Sequence, residues 1–337
     1  MGLFGHPGRW EGVIACPLTP YDAAGDVDGE RYAQQVEFLI ASGVPALCAP
    51  MHVGESLNLS FAERELLATL TVRAARGRVP VVVHVSCPGT GHTVRLARHA
   101  QSAGADAVIA TASYHWDLGE EATARHFEAL VTAVDVPVIG YSPPPTAGTP
   151  LPAELITRLA RRHGNFLGLK EASNHMATFG AATRAAGAAR PDFSVLGGIE
   201  YLLPQRSLGG AGAFSICAPV APRLVMALWQ AARDSDQQRA RELQARMTRL
   251  LALLVPYYPA GVKAAAAIMG RAMGDVRLPL TPLTAAQTHH LAAALEQEGI
   301  TASEPHGWDA AANGTPGHLP AAGTARTDAQ HGEGLGP

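Results

Sequence analysis

The sequence predicts an α/β protein with a TIM (β/α)8 barrel and a helical appendage at its C-terminus. Eight continuous apolar runs, each followed by a segment of helical spacing, fill about the first 220 residues, the usual size of such a barrel. Continuous apolar runs are typical of parallel strands that are buried on both faces. No GxGxxG motif follows the first run, which counts against the rival, a doubly wound open sheet. Helical patterns continue well beyond the eighth run and predict the appendage.

The eight predicted strands share an apolar composition, and several begin at a Val-Pro or Ala-Asp-Ala step. They span 12–20, 44–51, 79–87, 105–111, 136–142, 166–173, 193–200 and 212–221. The seven helices predicted between them span 31–42, 62–75, 92–103, 122–134, 152–162, 176–186 and 201–208. Regular alternation of the two element types is what a parallel barrel requires.

Three parts of the chain follow from this pattern. The barrel is expected to occupy residues 1–221, and a C-terminal helical subdomain residues 222–300, with helices at 222–254, 260–273 and 284–298. From 301 to 337 the chain is rich in Gly, Ala, Pro and Thr and has no periodicity. Such a composition cannot bury enough apolar surface to offset the entropy of ordering, so a disordered tail is predicted.

Composition excludes several classes of function. A net charge of -3 gives no reason to expect nucleic acid or an anionic membrane as partner. No apolar run reaches the ~18 residues of a membrane span, and the N-terminus lacks a secretory signal pattern, so a cytoplasmic protein is predicted. The four cysteines form no CxxC pair and the histidines form no HExxH motif, so no metal site is predicted.

Lys170 is the most informative side chain in the sequence. The chain contains two lysines, Lys170 and Lys263, and Lys170 lies in the apolar run FLGLKEAS. Arginine stays protonated at any working pH, whereas burial can lower the pKa of lysine until the amine is a nucleophile. The alternative is a lysine that extends to solvent or pairs with Glu171.

Other reactive side chains follow the predicted strands at their C-terminal ends, where TIM barrels place their active sites. An amine, phenols, an imidazole and glycine backbone at one mouth suit Schiff-base chemistry, in which a neutral amine attacks a ketone and phenols carry protons. The candidate residues are His52, Val53, Gly54, Tyr114, Tyr141, Lys170, Gly198, Glu200 and Phe214.

Four motifs resemble the dihydrodipicolinate synthase / N-acetylneuraminate lyase family of class I pyruvate aldolases. They are GLKEAS at 168–173, VIGYSPPPTAG at 138–148, GES at 54–56 and PAGVKAAAAIMG at 259–270. The separation of about thirty residues between Tyr141 and Lys170 also matches the family. The resemblance runs from about 12 to 298, and it implies a TIM barrel and an aldolase or lyase.

The resemblance also implies roles for these residues. Lys170 would form a Schiff base with a 2-oxo acid, usually pyruvate, which reacts with an aldehyde; no other cofactor is expected. Tyr141 would be the proton donor and acceptor, and Tyr114 the relay tyrosine that the family lends across a dimer interface. The backbone at Val53 and Gly54 would hold the carboxylate. The family is typically a homotetramer, a dimer of dimers, so a homotetramer is predicted.

The sequence departs from the family pattern at several of these positions. His52 replaces the hydroxyl residue that links the two tyrosines, and it is a candidate acid or base. Thr146 stands where dihydrodipicolinate synthases carry an arginine for the carboxylate of the aldehyde, which counts against that activity. Glu200 is what remains of the acidic pair of sialic-acid lyases, and Phe214 is a bulky residue at the strand-eight pocket position. The broken acidic pair, with His115 and Trp116 near the rim, indicates a less hydroxylated or partly aromatic partner.

Alternatives remain open at this stage. A dehydratase of keto-deoxy sugar acids, a hydratase-aldolase of arylidene-pyruvates and a dihydrodipicolinate synthase belong to the same family. A barrel that binds a 2-oxo acid without turnover is a different class of function. A metal-dependent aldolase is disfavoured, since no His/Asp/Glu cluster occurs at the strand ends. Glu55 is expected to pair within its own loop, and Lys263 to be structural.

Overall fold

The fold is a closed barrel of eight parallel strands in the order β1 to β8, surrounded by helices, as the sequence predicts. The computed structural model describes residues 2–112, 114–144 and 147–311. Every strand pairs in parallel with the next one along the chain, and β8 closes the barrel by pairing with β1 from Gly12↔Gly212 to Ala15↔Ser215. The rival open sheet is thereby excluded.

The strands are short and fully buried. They are β1 (Gly12–Ala15), β2 (Ala46–Ala49), β3 (Val81–His84), β4 (Ala107–Ala110), β5 (Val138–Ser142), β6 (Phe166–Glu171), β7 (Ser194–Gly197) and β8 (Gly212–Ser215). Several predicted strands were too long, because the apolar runs continue into buried loops at the mouth of the barrel. Residues 16–20 are an example: they are buried but lie beyond β1.

A helix follows each strand. The ring consists of α1 (Gly29–Ala41), α2 (Phe61–Ala75), α3 (Thr90–Ala103), α4 (Gly119–Ala133), α5 (Ala153–Arg162), α6 (Met176–Ala189), α7 (Leu202–Ser207) and α8 (Pro222–Arg233). Polar residues set several of its starts. Asp28 accepts a hydrogen bond from the Arg31 N–H at the start of α1, and Ser60 and Glu63 form a capping box at α2.

The core has an inner and an outer part. Side chains such as Ile14, Val82 and Ile139 belong to the inner cluster, which also includes the C-terminal helices. Val83, Val108 and Phe166 belong to an outer cluster with α3 to α6. Apolar residues on both faces of each strand explain why the runs in the sequence are continuous rather than alternating.

The C-terminal helices are α9 (Gln237–Leu254), α10 (Ala260–Ile268), α11 (Ala285–Gln297) and α12 (Ile300–Ser303). The helix predicted over 222–254 is two helices separated by a turn, and the one predicted over 260–273 ends at 268. In the part of the chain that the structure describes, no helix combines the length and the apolar character needed to cross a membrane. The division into domains at residue 221 remains a prediction.

The beginning of the expected tail is ordered, in contrast to the prediction of disorder from 301. Buried Glu304 accepts hydrogen bonds from the N–H groups of Arg223 and Leu224 at the start of α8. The buried guanidinium of Arg271 donates to the carbonyls of Pro305 and Gly307. These polar contacts replace the periodic apolar pattern that would have indicated order, and residues 312–337 lie outside the described part.

Candidate active site

Lys170 lies near the end of β6, inside the mouth of the barrel. It stands opposite Tyr141 in the pairing of β5 with β6. Its Nζ atom is 4.4 Å from the centroid of the Tyr141 ring and 4.9 Å from that of the Phe214 ring. Burial lowers the pKa of Lys170, and the nearby Cys16, Cys48 and Glu200 oppose that shift. An amine in this environment is more readily neutral than a lysine in water.

The predicted alternative, pairing with Glu171, does not occur. Glu171 accepts a hydrogen bond from the Ser173 N–H at 3.1 Å, and adjacent residues of a strand point to opposite faces. Across the described ranges, Lys170 forms neither a salt bridge nor a hydrogen bond. A buried amine without a carboxylate partner has little to stabilise its charge.

His52 lies between the two tyrosines of the prediction. Its Nε2 atom is 2.9 Å from the Tyr114 hydroxyl, and its Nδ1 atom is 3.4 Å from the Tyr141 hydroxyl. The imidazole therefore occupies the position between the phenols to which the sequence resemblance assigns a hydroxyl residue. The Tyr114 of the same chain makes this contact, so the contact does not require a tyrosine from a second subunit.

A second histidine, which the sequence analysis did not single out, completes the group. His84 is the last residue of β3 and is buried. Its Nε2 atom is 3.4 Å from the Tyr114 hydroxyl, and its Nδ1 atom is 3.1 Å from the carbonyl oxygen of Pro50. The ring centroids of His52 and His84 are 4.9 Å apart in an edge-to-face arrangement.

The signal that could have found His84 was its position at a strand end. The strand predicted over 79–87 places His84 in its interior rather than at its end. Because β3 ends at His84 itself, the rule that C-terminal strand ends face the active site applies to it.

Arg64 supports this group from α2. Its buried guanidinium donates hydrogen bonds to the carbonyl oxygens of His84 and Ser86, at 2.8 and 2.9 Å. Burial, together with the positive charges of Lys170 and Arg64, lowers the pKa of His52 to about 3. Burial also lowers the pKa of His84 well below its usual range. Both imidazoles are therefore neutral in the unliganded protein.

The two phenols are also neutral. Burial raises the pKa of Tyr141 and of Tyr114 above the ordinary value of a phenol. A neutral phenol can donate its hydrogen and accept another, and a neutral imidazole carries one N–H and one bare nitrogen. The four side chains can therefore pass protons without first gaining or losing charge.

The loop after β2 is held by long-range contacts. Lys263 of α10 donates to Glu55 at 2.9 Å, and the other oxygen of Glu55 accepts from the Arg277 N–H at 2.9 Å. The expectation that Glu55 pairs within its loop is thus wrong. At Gly54, a Cβ atom would lie 2.9 Å from the Pro17 carbonyl oxygen, so this position has no room for a side chain.

The remaining predicted residues are placed as follows. The Gly54 N–H donates to the Met51 carbonyl at 2.9 Å, and Val53 is buried in the same turn. A Cβ atom at Gly198 would lie 2.3 Å from the Cβ atom of Ala172, so glycine lets the ends of β6 and β7 approach closely. Thr146 lies outside the described residues.

Glu200 is turned toward β8. Its Oε1 atom accepts hydrogen bonds from the Ser215 hydroxyl at 2.5 Å and from the Cys217 N–H at 2.7 Å. Its Oε2 atom is buried and has no hydrogen-bond partner in the part of the chain that the structure describes. Burial raises the pKa of this carboxyl group. Contact with a substrate remains a prediction for Glu200.

Comparison with known proteins identifies the family. Residues 9–298 match the model of the dihydrodipicolinate synthetase family. The chain belongs to this family. A 4-hydroxy-tetrahydrodipicolinate synthase of Syntrophus aciditrophicus is 33% identical over 293 residues, which are 86% of this chain and 99% of the relative. One from Methanoculleus marisnigri is 33% identical over 294 residues, or 86% and 100% of the two chains.

Solved structures of the family have the same architecture. YagE, a prophage protein from E. coli K12 determined in complex with pyruvate, has a TM-score of 0.82 and 28% identity. That alignment covers 86% of this chain and 99% of the YagE chain. Dihydrodipicolinate synthase from Aquifex aeolicus has a TM-score of 0.82 and 29% identity, with coverage of 87% and 99%.

Membership of the dihydrodipicolinate synthetase family confirms the predicted fold and enzyme class. The protein is a carbon–carbon lyase, a class I pyruvate-dependent aldolase or lyase that forms a Schiff base on a lysine. Within residues 2–112, 114–144 and 147–311, no three His, Cys, Asp or Glu side chains are grouped as metal ligands.

Proposed function

We propose that Lys170 is the Schiff-base lysine, that Tyr141 transfers protons beside it, and that His52 links Tyr141 to Tyr114. One observation carries the proposal: among the described residues, buried Lys170 has no carboxylate partner, and it lies 4.4 Å from the ring of a tyrosine whose hydroxyl contacts an imidazole. Lys263, the other lysine in the sequence, is held in a salt bridge with Glu55 and donates to the Asp275 carbonyl. A paired ammonium is not a nucleophile.

The proposed reaction begins with the neutral amine of Lys170. Its lone pair attacks the carbonyl carbon of a 2-oxo acid, and the carbinolamine that forms loses water to give an iminium ion. Removal of a proton from the C3 carbon then places the electron pair of the C–H bond in the iminium and yields a neutral enamine. The enamine carbon can attack an aldehyde, and the reverse sequence cleaves the same bond.

Each of these steps needs a proton to move over a short distance. The Tyr141 hydroxyl and the His52 imidazole are within 3.4 Å of each other and are neutral, so they can exchange a proton in either direction. We place the carboxylate of the 2-oxo acid beside the turn of Val53 and Gly54, as the family resemblance implies. The predicted homotetramer is part of the same proposal.

The test is reductive trapping followed by intact-mass measurement. Incubation with pyruvate and borohydride is expected to add one reduced pyruvyl group to the protein, on the peptide that contains Lys170. Lys170→Arg should form no adduct, whereas the matched variant Lys263→Arg should form it if the protein remains folded. An adduct on Lys263, or none with any 2-oxo acid, would overturn the proposal.

We further propose that the enzyme is not a typical dihydrodipicolinate synthase. The basis is Thr146, which stands where the family carries an arginine for a carboxylated aldehyde. A second basis is the mouth of the barrel, where the rings of His52, His84, Tyr114 and Tyr141 contact one another. This lining favours an apolar or aromatic aldehyde, as in hydratase-aldolases of arylidene-pyruvates.

The names of the relatives support the alternative, a 4-hydroxy-tetrahydrodipicolinate synthase. A panel of aldehydes with pyruvate separates the two. Preference for benzaldehyde-type acceptors by kcat/KM would support an aromatic partner, and preference for a carboxylated aliphatic aldehyde would support the synthase. Turnover of a keto-deoxy sugar acid with loss of water would instead identify a dehydratase. Normal trapping without product from any of these substrates would favour a binding protein.

A further inference from the structure

The hydrogen bonds among His84, Tyr114, His52 and Tyr141 form a continuous chain that ends on a backbone carbonyl. The carbonyl oxygen of Pro50 can only accept a hydrogen bond, and it lies 3.1 Å from the Nδ1 atom of His84. Neutral His84 must therefore carry its hydrogen on Nδ1, which leaves Nε2 bare. The identity of one backbone atom thus sets the tautomer of a buried side chain.

That tautomer sets which partner donates in each of the other hydrogen bonds among these side chains. The bare Nε2 of His84 faces the Tyr114 hydroxyl at 3.4 Å and accepts its hydrogen. Tyr114 has only one hydrogen, so its oxygen must accept from the Nε2–H of His52 across the 2.9 Å contact. Neutral His52 is then bare at Nδ1, the atom that faces the Tyr141 hydroxyl at 3.4 Å. Tyr141 donates its hydrogen away from Lys170 and leaves its oxygen free to accept one.

Ser86 is the nearest competitor for this arrangement. Its hydroxyl interacts with Tyr114 and accepts a hydrogen bond from the Thr111 N–H at 2.9 Å. A hydrogen that Tyr114 gave to Ser86 would leave His52 in the same tautomer without any contribution from His84. The two arrangements differ when His84 loses its acceptor, because the tautomer of His52 switches only if the Tyr114 hydrogen is bonded to His84.

We propose that His84 is a positioning residue that fixes the tautomer of His52, so that Tyr141 acts as proton acceptor for the C3 carbon of the bound 2-oxo acid. The inference rests on the proposed function of Lys170. When the C3–H bond breaks, its electron pair enters the iminium and its proton goes to the Tyr141 oxygen. The Tyr141 hydrogen moves to Nδ1 of His52, which becomes the cation as the iminium becomes a neutral enamine.

The transfer moves one positive charge within the site and creates no additional charge. Burial is the largest cause that opposes protonation of His52, and a positive charge on the Lys170 nitrogen adds to it. Formation of the enamine removes the charge from the Lys170 nitrogen while His52 gains it. Arg64 remains a cation nearby throughout, which favours return of the proton once the new carbon–carbon bond has formed.

The direct test measures the tautomers by long-range ¹H–¹⁵N NMR of protein labelled at the histidine rings, with His52 and His84 assigned from their variants. The expected result is a hydrogen on Nδ1 of His84 and on Nε2 of His52. His84→Asn retains an N–H for Pro50 but presents no acceptor at the Nε2 position, so His52 is expected to switch to Nδ1–H. A hydrogen on Nε2 of His84 in the native protein would overturn the inference.

The kinetic test is exchange of the C3 protons of pyruvate in D₂O. His84→Asn is expected to slow exchange roughly 10- to 100-fold, with KM unchanged, because a general base has lost its orientation. His84→Gln retains an acceptor near Tyr114 and should recover part of the rate. The matched control is His126→Asn, which removes a buried histidine bonded to Thr90 on the outside of the barrel and should leave exchange unchanged.

Reductive trapping separates this inference from the proposal on which it rests. If the native protein forms no adduct with pyruvate, the function of Lys170 fails whatever the tautomers are. If the adduct forms in His84→Asn and exchange stays at the native rate, only the role of His84 is wrong. If His84→Asn does not fold, the tautomers of the native protein decide.

Discussion

Lys170 and Lys263 are both buried, and each ammonium lies over the ring of a tyrosine, at 4.4 Å from Tyr141 and 4.1 Å from Tyr21. Their polar partners differ. Lys263 donates to the Glu55 carboxylate at 2.9 Å, whereas Lys170 has no carboxylate within hydrogen-bond reach in the described ranges. Burial lowers the pKa of both, but Glu55 opposes the shift at Lys263. The comparison predicts that, of two buried lysines, the one without a carboxylate partner is the reactive amine.

The largest expected effect is on catalysis at Lys170. Lys170→Arg retains a positive charge but removes the nucleophile, so turnover should fall by roughly 10³-fold or more. Lys263→Arg should keep most of the activity per folded molecule. Steady-state kinetics with pyruvate and the best aldehyde measures the turnover of both variants. Comparable losses in the two would show that Lys170 has no special role in catalysis.

The next effect concerns the tyrosine beneath each amine. Tyr141→Phe should lower kcat by about 10²- to 10⁴-fold, because a proton-transferring hydroxyl is lost while the ring remains. Tyr21→Phe is the matched control, since the Tyr21 hydroxyl is buried with no hydrogen-bond partner among the described residues. It should leave kcat unchanged and keep or raise the melting temperature. A normal kcat in Tyr141→Phe would contradict the proposed role.

Stability should respond in the opposite order. Lys263→Met leaves the Glu55 carboxylate buried beside an apolar side chain and should lower the free energy of unfolding by about 3–5 kcal/mol. Lys170→Met removes a buried amine that has no carboxylate partner, so the free energy of unfolding should stay the same or rise. Urea titrations followed by circular dichroism test both, and equal destabilisation would show that Lys170 has a stabilising partner.

The smallest effect is the pH dependence. Burial lowers the pKa of Lys170 below the ordinary 10.5, so trapping with pyruvate should speed up with rising pH and level off below 10.5. Between the folded and unfolded pKa values the unfolded chain binds more protons, so this group makes stability increase with pH across that window. In Lys170→Met, the free energy of unfolding should no longer rise with pH across that window. A trapping rate that still climbs at 10.5 would mean an unperturbed lysine.

Much of this comparison could be predicted from the sequence, because it depends on local patterns. The eight apolar runs, the position of Lys170 and the motif around Tyr141 are continuous segments whose periodicity and composition are visible directly. The strand ends were less predictable, since buried loops are as apolar as strands. His84 was missed for that reason.

The pairing of Glu55 with Lys263 could not be predicted, because it joins residues 208 positions apart. No periodicity relates a loop after the second strand to a helix after the eighth. The same is true of Glu304 and Arg271, whose buried contacts order residues 304–307 without an apolar pattern. Long-range polar contacts are decided by the folded geometry, and the sequence shows only that the groups exist.

The Glu55–Lys263 pair makes the barrel and its appendage inseparable. A gene fragment that stops at residue 221 would encode all eight strands, Lys170 and both tyrosines, and yet would lack the cation that neutralises Glu55. The turn that carries His52 would then have an uncompensated charge next to it and would lose its contacts with Lys263 and Arg277. Shortening this enzyme to a minimal barrel would therefore disturb the turn that carries His52 even if the strands still closed.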